Sequence, residues 1–417
     1  MSLRVLMACC CAVASFACGA PVWGNDVLIR GATIHTVGVR GTLMNSDLLI
    51  RDGKIAEIGR GLAAPKAAAV IEAAQRPVTP GIFGGLSALG LTEVSAEATT
   101  VDVELSLGAP AWQQQWRPEF DVTEAYNPRS GVIPVARIEG LTWTILAPRS
   151  GDSILSGQGA AIALDGRFDA VLARSRALFV ETGSAALTAS GGSRAGQFML
   201  LDQAIREVRG GETSDSPALL HPAGREALAR YLAGGRVVFH AERAADIRRV
   251  VAFARRAGMR PIISGGAEAW IVAAELARLH VPVILNPLQN LPVDFDQLAA
   301  RLDNAALLAR AGVRIAFSEG ETHLAGRVRQ LAGNAVAHGL PWDAALAALT
   351  ANPAQMFQVA DRGSIEVGRI ADLVLWSGDP LEVTSVADRV WLGGGAVEMR
   401  SRQTELRDRY AGAVHQR

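Results

Sequence analysis

Two periodicities divide the chain. From Asp26 to Val78 the apolar residues come in short runs cut by turns: Val27-Leu28-Ile29 before Gly31, then Ala32 to Val37, then Asp47-Leu48-Leu49-Ile50. The turn Arg51-Asp52-Gly53-Lys54 leads into Ile55-Ala56-Glu57-Ile58. It predicts a hairpin, because Asp and Gly tolerate the positive φ of a tight two-residue turn. Val70-Ile71 and Pro77-Val78 close the segment. The same pattern returns near the other end, in Gly368 to Trp376, Val390-Trp391-Leu392, the turn Gly393-Gly394-Gly395, and Ala396 to Met399. Strands this short and few bury little by themselves. The expectation is one small β-sandwich composed of residues 25–78 and 363–402, with 403–417 as a tail.

The middle, residues 79–362, follows a different rule. Apolar runs alternate with segments whose apolar positions recur every three to four residues. Val237-Val238-Phe239 leads to His240 and then to a helix with Ile247, Val250, Val251 and Ala254 on one face, closed by Gly258. Pro261-Ile262-Ile263 is the next strand and Ala267 to Leu279 the next helix. Val281 to Leu285 is a strand, Gln297 to Ala311 a helix, and Arg314 to Phe317 a strand. Repeated βα units with nearly all-apolar strands predict a parallel sheet covered on both faces. Their extent suits a (β/α)8 barrel. The alternative, an open doubly wound sheet, lacks a GxGxxG after a strand. The fold expected is therefore α/β, a TIM-like (β/α)8 barrel inserted into the composite sandwich.

Composition narrows the function. Of 417 residues 49% are hydrophobic, and acidic and basic residues balance, so no electrostatic argument favours nucleic acid or an anionic membrane. Arg4 followed by the apolar run Val5 to Ala17 and the small residues Ala17, Gly19 and Ala20 predicts a secretory signal peptide over residues 1–20, and hence a periplasmic or secreted protein. All four cysteines, Cys9, Cys10, Cys11 and Cys18, fall within it. The mature chain then has no disulfide and no thiol nucleophile. Cys18 after Ala17 leaves lipid anchoring as an alternative. No later run is long and uncharged enough to span a bilayer.

Three segments carry a resemblance: VTPG at 78–81, TANPAQMF at 350–357, and GSIEVGRIADLVLWSGDP at 363–380. Together they resemble the amidohydrolase superfamily, in particular its imidazolonepropionase-like and prolidase-like branch, over nearly all of the mature chain. GDSILSGQGA at 151–160 and VFHAERAADI at 238–247 resemble segments of the same branch. The resemblance implies hydrolysis of C–N bonds in cyclic or linear amides at a metal centre. The departures fall on that centre. The His-x-His positions hold Leu86 and Ala88, with Ser87 between them. A His-Ala-His strand reads His240-Ala241-Glu242, a Glu-His-Gly strand reads Ser264-Gly265-Gly266, and the final Asp aligns with Gly320 beside Glu319. Lys54 and Lys66, the only lysines, both lie in the sandwich segment, so a bridging carboxylated lysine is impossible. The expectation is no metal and no other cofactor.

What remains polar defines the candidates. His240 and Glu242, two apart on a strand, share a face and form an acid–base pair or a buried ion pair. Glu319, Glu321 and His323 follow the last strand, where barrel sites are built. The catalytic candidates are His240, Glu242 and Glu319. The ligand-binding candidates are Asn127, Gln158 and His323, Asn127 and Gln158 lying in segments that line the pocket in relatives. Ser87 is a nucleophile candidate with no histidine near it in sequence. Glu268, at a helix start, suits the helix dipole, while His35, His221, His280 and His338 look structural. The polar-aromatic run Trp112 to Trp116 is a lid, an interface or a surface loop. Three functions follow: a non-metallo homologue that binds an amide or peptide-like ligand, or supports a metal-complete paralogue or a second copy; an active C–N hydrolase with a rearranged site; and an assembly role.

Overall fold

The computed structural model describes residues 26–107, 115–151, 153–210, 218–288 and 292–414. The expected signal peptide and Trp112, Gln113 and Gln114 lie outside these residues. The first strands are β1 Val27–His35, β2 Thr42–Arg51, β3 Lys54–Gly59, β4 Ala69–Glu72 and β5 Pro77–Pro80. The barrel follows with β6 Ile82–Ser87, β7 Leu141–Leu146, β8 Leu155–Gly159, β9 Ala161–Ala163, β10 Ala177–Glu181, β11 Arg236–Ala241, β12 Arg260–Gly265, β13 Val283–Leu285 and β14 Ile315–Phe317. The chain returns through β15 Leu373–Trp376, β16 Ala387–Leu392 and β17 Gly395–Ala396. The helices are α1 Val132–Ile138, α2 Arg194–Val208, α3 Pro222–Leu232, α4 Ala244–Ala257, α5 Ala273–Arg278, α6 Asn304–Arg310, α7 Val328–Ala337, α8 Trp342–Ala348, α9 Ala351–Met356 and α10 Arg402–Val414.

Both ends of the chain share one sheet, ordered β17-β16-β15-β5-β1-β2-β3, with β4 also on β1. The expected composite of the two ends is thus present, joined where β15 pairs antiparallel with β5. The Asp52-Gly53 hairpin forms as read, with φ of 49° and 75°, the positive pair a type I′ turn requires. Two motif segments meet at Gly363: at φ 85° it lies so close to Thr350 O and Ala354 that a Cβ would sit 2.7 and 2.8 Å from them. Asn352 Nδ2 donates to Ile315 O at 2.9 Å, which anchors α9 to the last barrel strand.

The barrel runs β6, β7, the bent strand β9–β8, then β10 to β14. The third place differs from a strict parallel repeat: β9 is antiparallel to β7, and β8 antiparallel to β10. The ring closes where Ser318 Oγ accepts the Leu86 N–H at 2.9 Å. Gly85, at φ 79°, permits this approach, since a Cβ there would meet Ser318 Oγ at 2.7 Å. Alternate residues fill the interior, among them Phe83, Ile145, Phe179, Val238, Ile262, Ile284 and Ala316. The intervening ones, such as Val237, Phe239, Ile263 and Phe317, pack outward with the helices.

Two helices are shorter than their patterns suggest. The turn after β12 starts as a 3-10 helix at Ala269–Val272, because the Ala267 and Glu268 amides go to Glu242 instead. Residues 297–303 are turns: Ala299 N–H donates to Glu268 and Ala299 O accepts from Trp270 Nε1, so that backbone is committed outside any helix. Among the described residues no helix is long and apolar enough to cross a membrane.

Candidate functional site

Strand alternation places the site. The interior residues Phe179, Val238, Ile262, Ile284 and Ala316 each have a neighbour two positions on, at the C-terminal end of the strand, facing the same way. Those neighbours are Glu181, His240, Ser264, Asn286 and Ser318. An apolar barrel floor therefore ends in a polar ring at the face where barrels build their sites. Above it is a cavity of about 450 Å³, lined among others by Leu86, Arg149, His240, Glu242, Asn286 and Glu319.

At the centre stands His240, opposite Glu181 in the ladder. Its Nε2 is 3.8 Å from Glu181 Oε1 and 3.7 Å from Glu242 Oε1. Glu242 Oε2 accepts the Ala267 N–H at 2.7 Å, which fixes the carboxylate over the end of β12. Burial pushes the Glu181 carboxyl above the ordinary range, His240 opposes this, and Glu242 adds to it. Burial likewise raises Glu242, against His240 and the Ala267 amide. Each carboxylate thus sits poorly solvated within 4 Å of the one imidazole, an arrangement able to hold a proton.

The positions where the resemblance expects metal ligands are used otherwise. Leu86 packs against the interior core, and Ala88 donates its amide to Thr322 Oγ1 at 3.0 Å. Gly265 has φ 86°, and a Cβ on it would lie 2.6 Å from Glu242 Oε1 and 2.9 Å from His240 Cε1. The volume of a side chain at 265 is already taken by Glu242 and His240. Among the described residues no group of three His, Cys, Asp or Glu is arranged to hold a metal ion. The donor set does not fit the metal centre the fold implies.

The other candidates separate. Glu319 lines the His240 cavity. His323 lines a different one, of about 360 Å³, with Glu139, Arg327 and Gln403, because a 3-10 helix over Thr322–Arg327 turns the chain outward. Glu321 is exposed. Asn127 is exposed and its Oδ1 accepts the Arg129 N–H at 2.9 Å, stabilising a turn. Gln158 is buried, accepting the Tyr231 hydroxyl at 2.7 Å and donating to Glu119 O at 3.3 Å. Ser87 Oγ lies 2.9 Å from Thr144 Oγ1, whose proton goes to Gly85 O at 2.7 Å. The Ser87 proton therefore points at a hydroxyl. Glu268 bonds the Ala244 amide at the start of α4, so its dipole role serves α4. Trp116 is buried and bridges to Leu220. Sequence reasoning missed Glu181, whose only signal was a lone carboxylate ending the apolar strand Ala177–Glu181.

The chain belongs to the amidohydrolase family, whose model matches residues 175–397. It is 43% identical over 60 residues to amidohydrolase tasK of Hapsidospora irregularis; the match spans 14% of this chain and only 6% of that protein. The fold is similar to the crystal structure of an amidohydrolase from Thermotoga maritima, with TM-score 0.78 and 24% identity over 90% of this chain and all of that one. It is also similar to a prolidase complexed with N-methylphosphonate-L-proline, with TM-score 0.52 and 16% identity over 90% of this chain and all of that one.

Proposed function

We propose that this protein binds an amide- or peptide-like ligand in the mouth of an amidohydrolase barrel that works without the family's metal centre. The observation that carries this reading is the packing of Glu242 and His240 into the space beside Gly265. A site that had merely lost its ligands would keep a gap there; this one is filled and hydrogen-bonded. The cavity keeps polar groups suited to an amide, Ser264 and Asn286 among them. Export through residues 1–20, and a companion that is either a second copy or a metal-complete protein of the same fold, belong to the same proposal; the apolar run Val5 to Ala17 behind Arg4 supports export.

The test is metal content by elemental mass spectrometry, after incubation of the mature protein with Zn²⁺, Mn²⁺ and Co²⁺ and removal of excess. The expected result is far less than one metal per chain. One tightly held ion per chain would overturn the reading.

A second reading is favoured by Glu319 lining the same cavity as His240 and Glu242. In that case a carboxylate and the imidazole activate water against a C–N bond without a metal. Turnover of an amide library followed by mass spectrometry decides it. Activity abolished by Glu242→Gln would establish this reading, and no product from any member would remove it.

A further inference from the structure

Thr322 stands between two cavities. It lines the His240 cavity and also the one of about 360 Å³ that holds His323. Its Oγ1 accepts the Ala88 N–H at 3.0 Å. Ala88 lines the first cavity, and the next residue, Leu89, lines the second. The partition is therefore built from adjacent residues of two segments, Ala88 and Leu89 after β6 and Thr322 and His323 of the 3-10 helix, joined by one hydrogen bond.

The second cavity falls within the roughly 300–1,000 Å³ that small-molecule sites occupy. Its walls are largely apolar: Val132, Val135 and Ala136 from α1, Leu324 from the 3-10 helix, and Leu381 and Val383 beyond β15. The charges around it balance, Arg327 and Arg329 against Glu139 and Glu382. Arg329 is not a free seat for an anion. It is buried, Nη1 donates to Pro380 O and Nη2 to Ser385 O, both at 3.0 Å, and its guanidinium lies 4.6 Å from the centre of the Trp376 ring. Its Nε is sealed off from any occupant, and Glu139 Oε2 lies 3.8 Å away as countercharge. Arg327 and Glu382 are exposed, where water already solvates them. An ion placed against the apolar walls would give up its hydration without a buried group free to replace it. A neutral apolar molecule gains by the same burial, and the amides of Gln330 and Gln403 can each donate to or accept from a hydroxyl.

We propose that this cavity is a second ligand site, for a neutral, largely apolar molecule with one hydrogen-bonding group, and that its occupant steadies the partition shared with the His240 cavity. Contact with Leu89 and His323, one on each segment of the partition, opposes the local opening that would break the Ala88–Thr322 bond. The inference stands apart from the reading of the His240 cavity given above.

The experiment is calorimetric titration of the mature protein with 2-naphthol, 2-naphthoate and 2-naphthylmethylammonium, which share one ring system and differ in charge. Naphthol is expected to bind about tenfold or more tightly than either ion. Equal or tighter binding of an ion would overturn the neutral class, and no binding of naphthol would overturn the site. Amide hydrogen exchange in the unaltered protein then locates the compound. Naphthol should slow exchange across residues 322–330, and at Ala88 by about threefold or more. Slowing at Leu288, whose amide donates to Asn286 Oδ1 at 2.9 Å beside the His240 cavity, with none over 322–330 would place naphthol in that cavity and overturn the inference. Slowing over 322–330 with Ala88 unchanged would overturn the shared partition. Val135→Trp, which fills the second cavity alone, should abolish naphthol binding; a folded variant that still binds would overturn the site. The exchange pattern of the unaltered protein decides the question even if that variant fails to fold.

Discussion

Gly265 and Glu242 occupy one space between them: a Cβ on the glycine would sit 2.6 Å from the carboxylate oxygen. The glycine is also held at φ 86°, where any side chain adds strain. Gly265→Ala is therefore expected to cost about 2–4 kcal/mol in chemical denaturation. Glu242→Ala removes the closer clash and leaves the one with His240 Cε1 at 2.9 Å, so the double variant should lose less than the sum of the two single losses. Additive losses would mean that the strain lies in the backbone or against His240 and that Glu242 does not fill the position.

Glu181 and Glu242 both have carboxyls raised by burial. A raised carboxylate favours the protonated form in the fold, so its contribution is fully present below the ordinary value and is lost as pH rises through the folded value. Glu181→Gln never ionises. It is expected to melt higher than the unaltered protein at pH 8, by roughly 1–2 °C for a chain of this size. The gain should shrink toward pH 5. Thermal unfolding at the two pH values checks this, and a variant that melts lower at pH 8 would show that the charge is stabilised by a partner.

Much of this architecture was legible because it depends on repetition. The alternation in Val238–His240 and Ala316–Ser318 shows which side chains face inward, and the Asp52-Gly53 pair names its own turn. The site was less legible, for physical reasons. Gly265 reads as a missing ligand when only the residue type is known; its φ and the place of Glu242 show it to be a packing requirement. Glu181 is one carboxylate at the end of an apolar strand, and only the β10–β11 register sets it against His240. His323 is four residues beyond Glu319, yet a single 3-10 helix carries it to another cavity. Asn127 is engaged in its own turn, which spacing alone does not reveal.

Ser318 tests how the ring is closed. Its Oγ accepts the Leu86 N–H at 2.9 Å and faces Leu86 O at 3.3 Å, joining the first and last barrel strands through one side chain. Ser318→Ala leaves that amide without its partner and should cost about 1–2 kcal/mol. Amide hydrogen exchange at Leu86 should accelerate more than at Val238 in the neighbouring barrel interior. Uniform acceleration would assign the effect to global destabilisation.

Gln158 separates structural from ligand roles. The side chain is buried, and the Tyr231 hydroxyl donates to its Oε1 at 2.7 Å. Burial pushes the Tyr231 phenol up to about 12, so at neutral pH it stays a donor that needs an acceptor. Gln158→Leu keeps the volume and removes that acceptor, which should cost about 1–3 kcal/mol. Gln158 does not line the His240 cavity, so the affinity of any ligand bound there should not change. Asn286→Leu is the converse: Asn286 lines that cavity, so affinity should fall while the melting temperature moves little. If Gln158→Leu instead weakened binding at unchanged stability, the ligand would have to reach β8, and the site would extend beyond the polar ring at the strand ends.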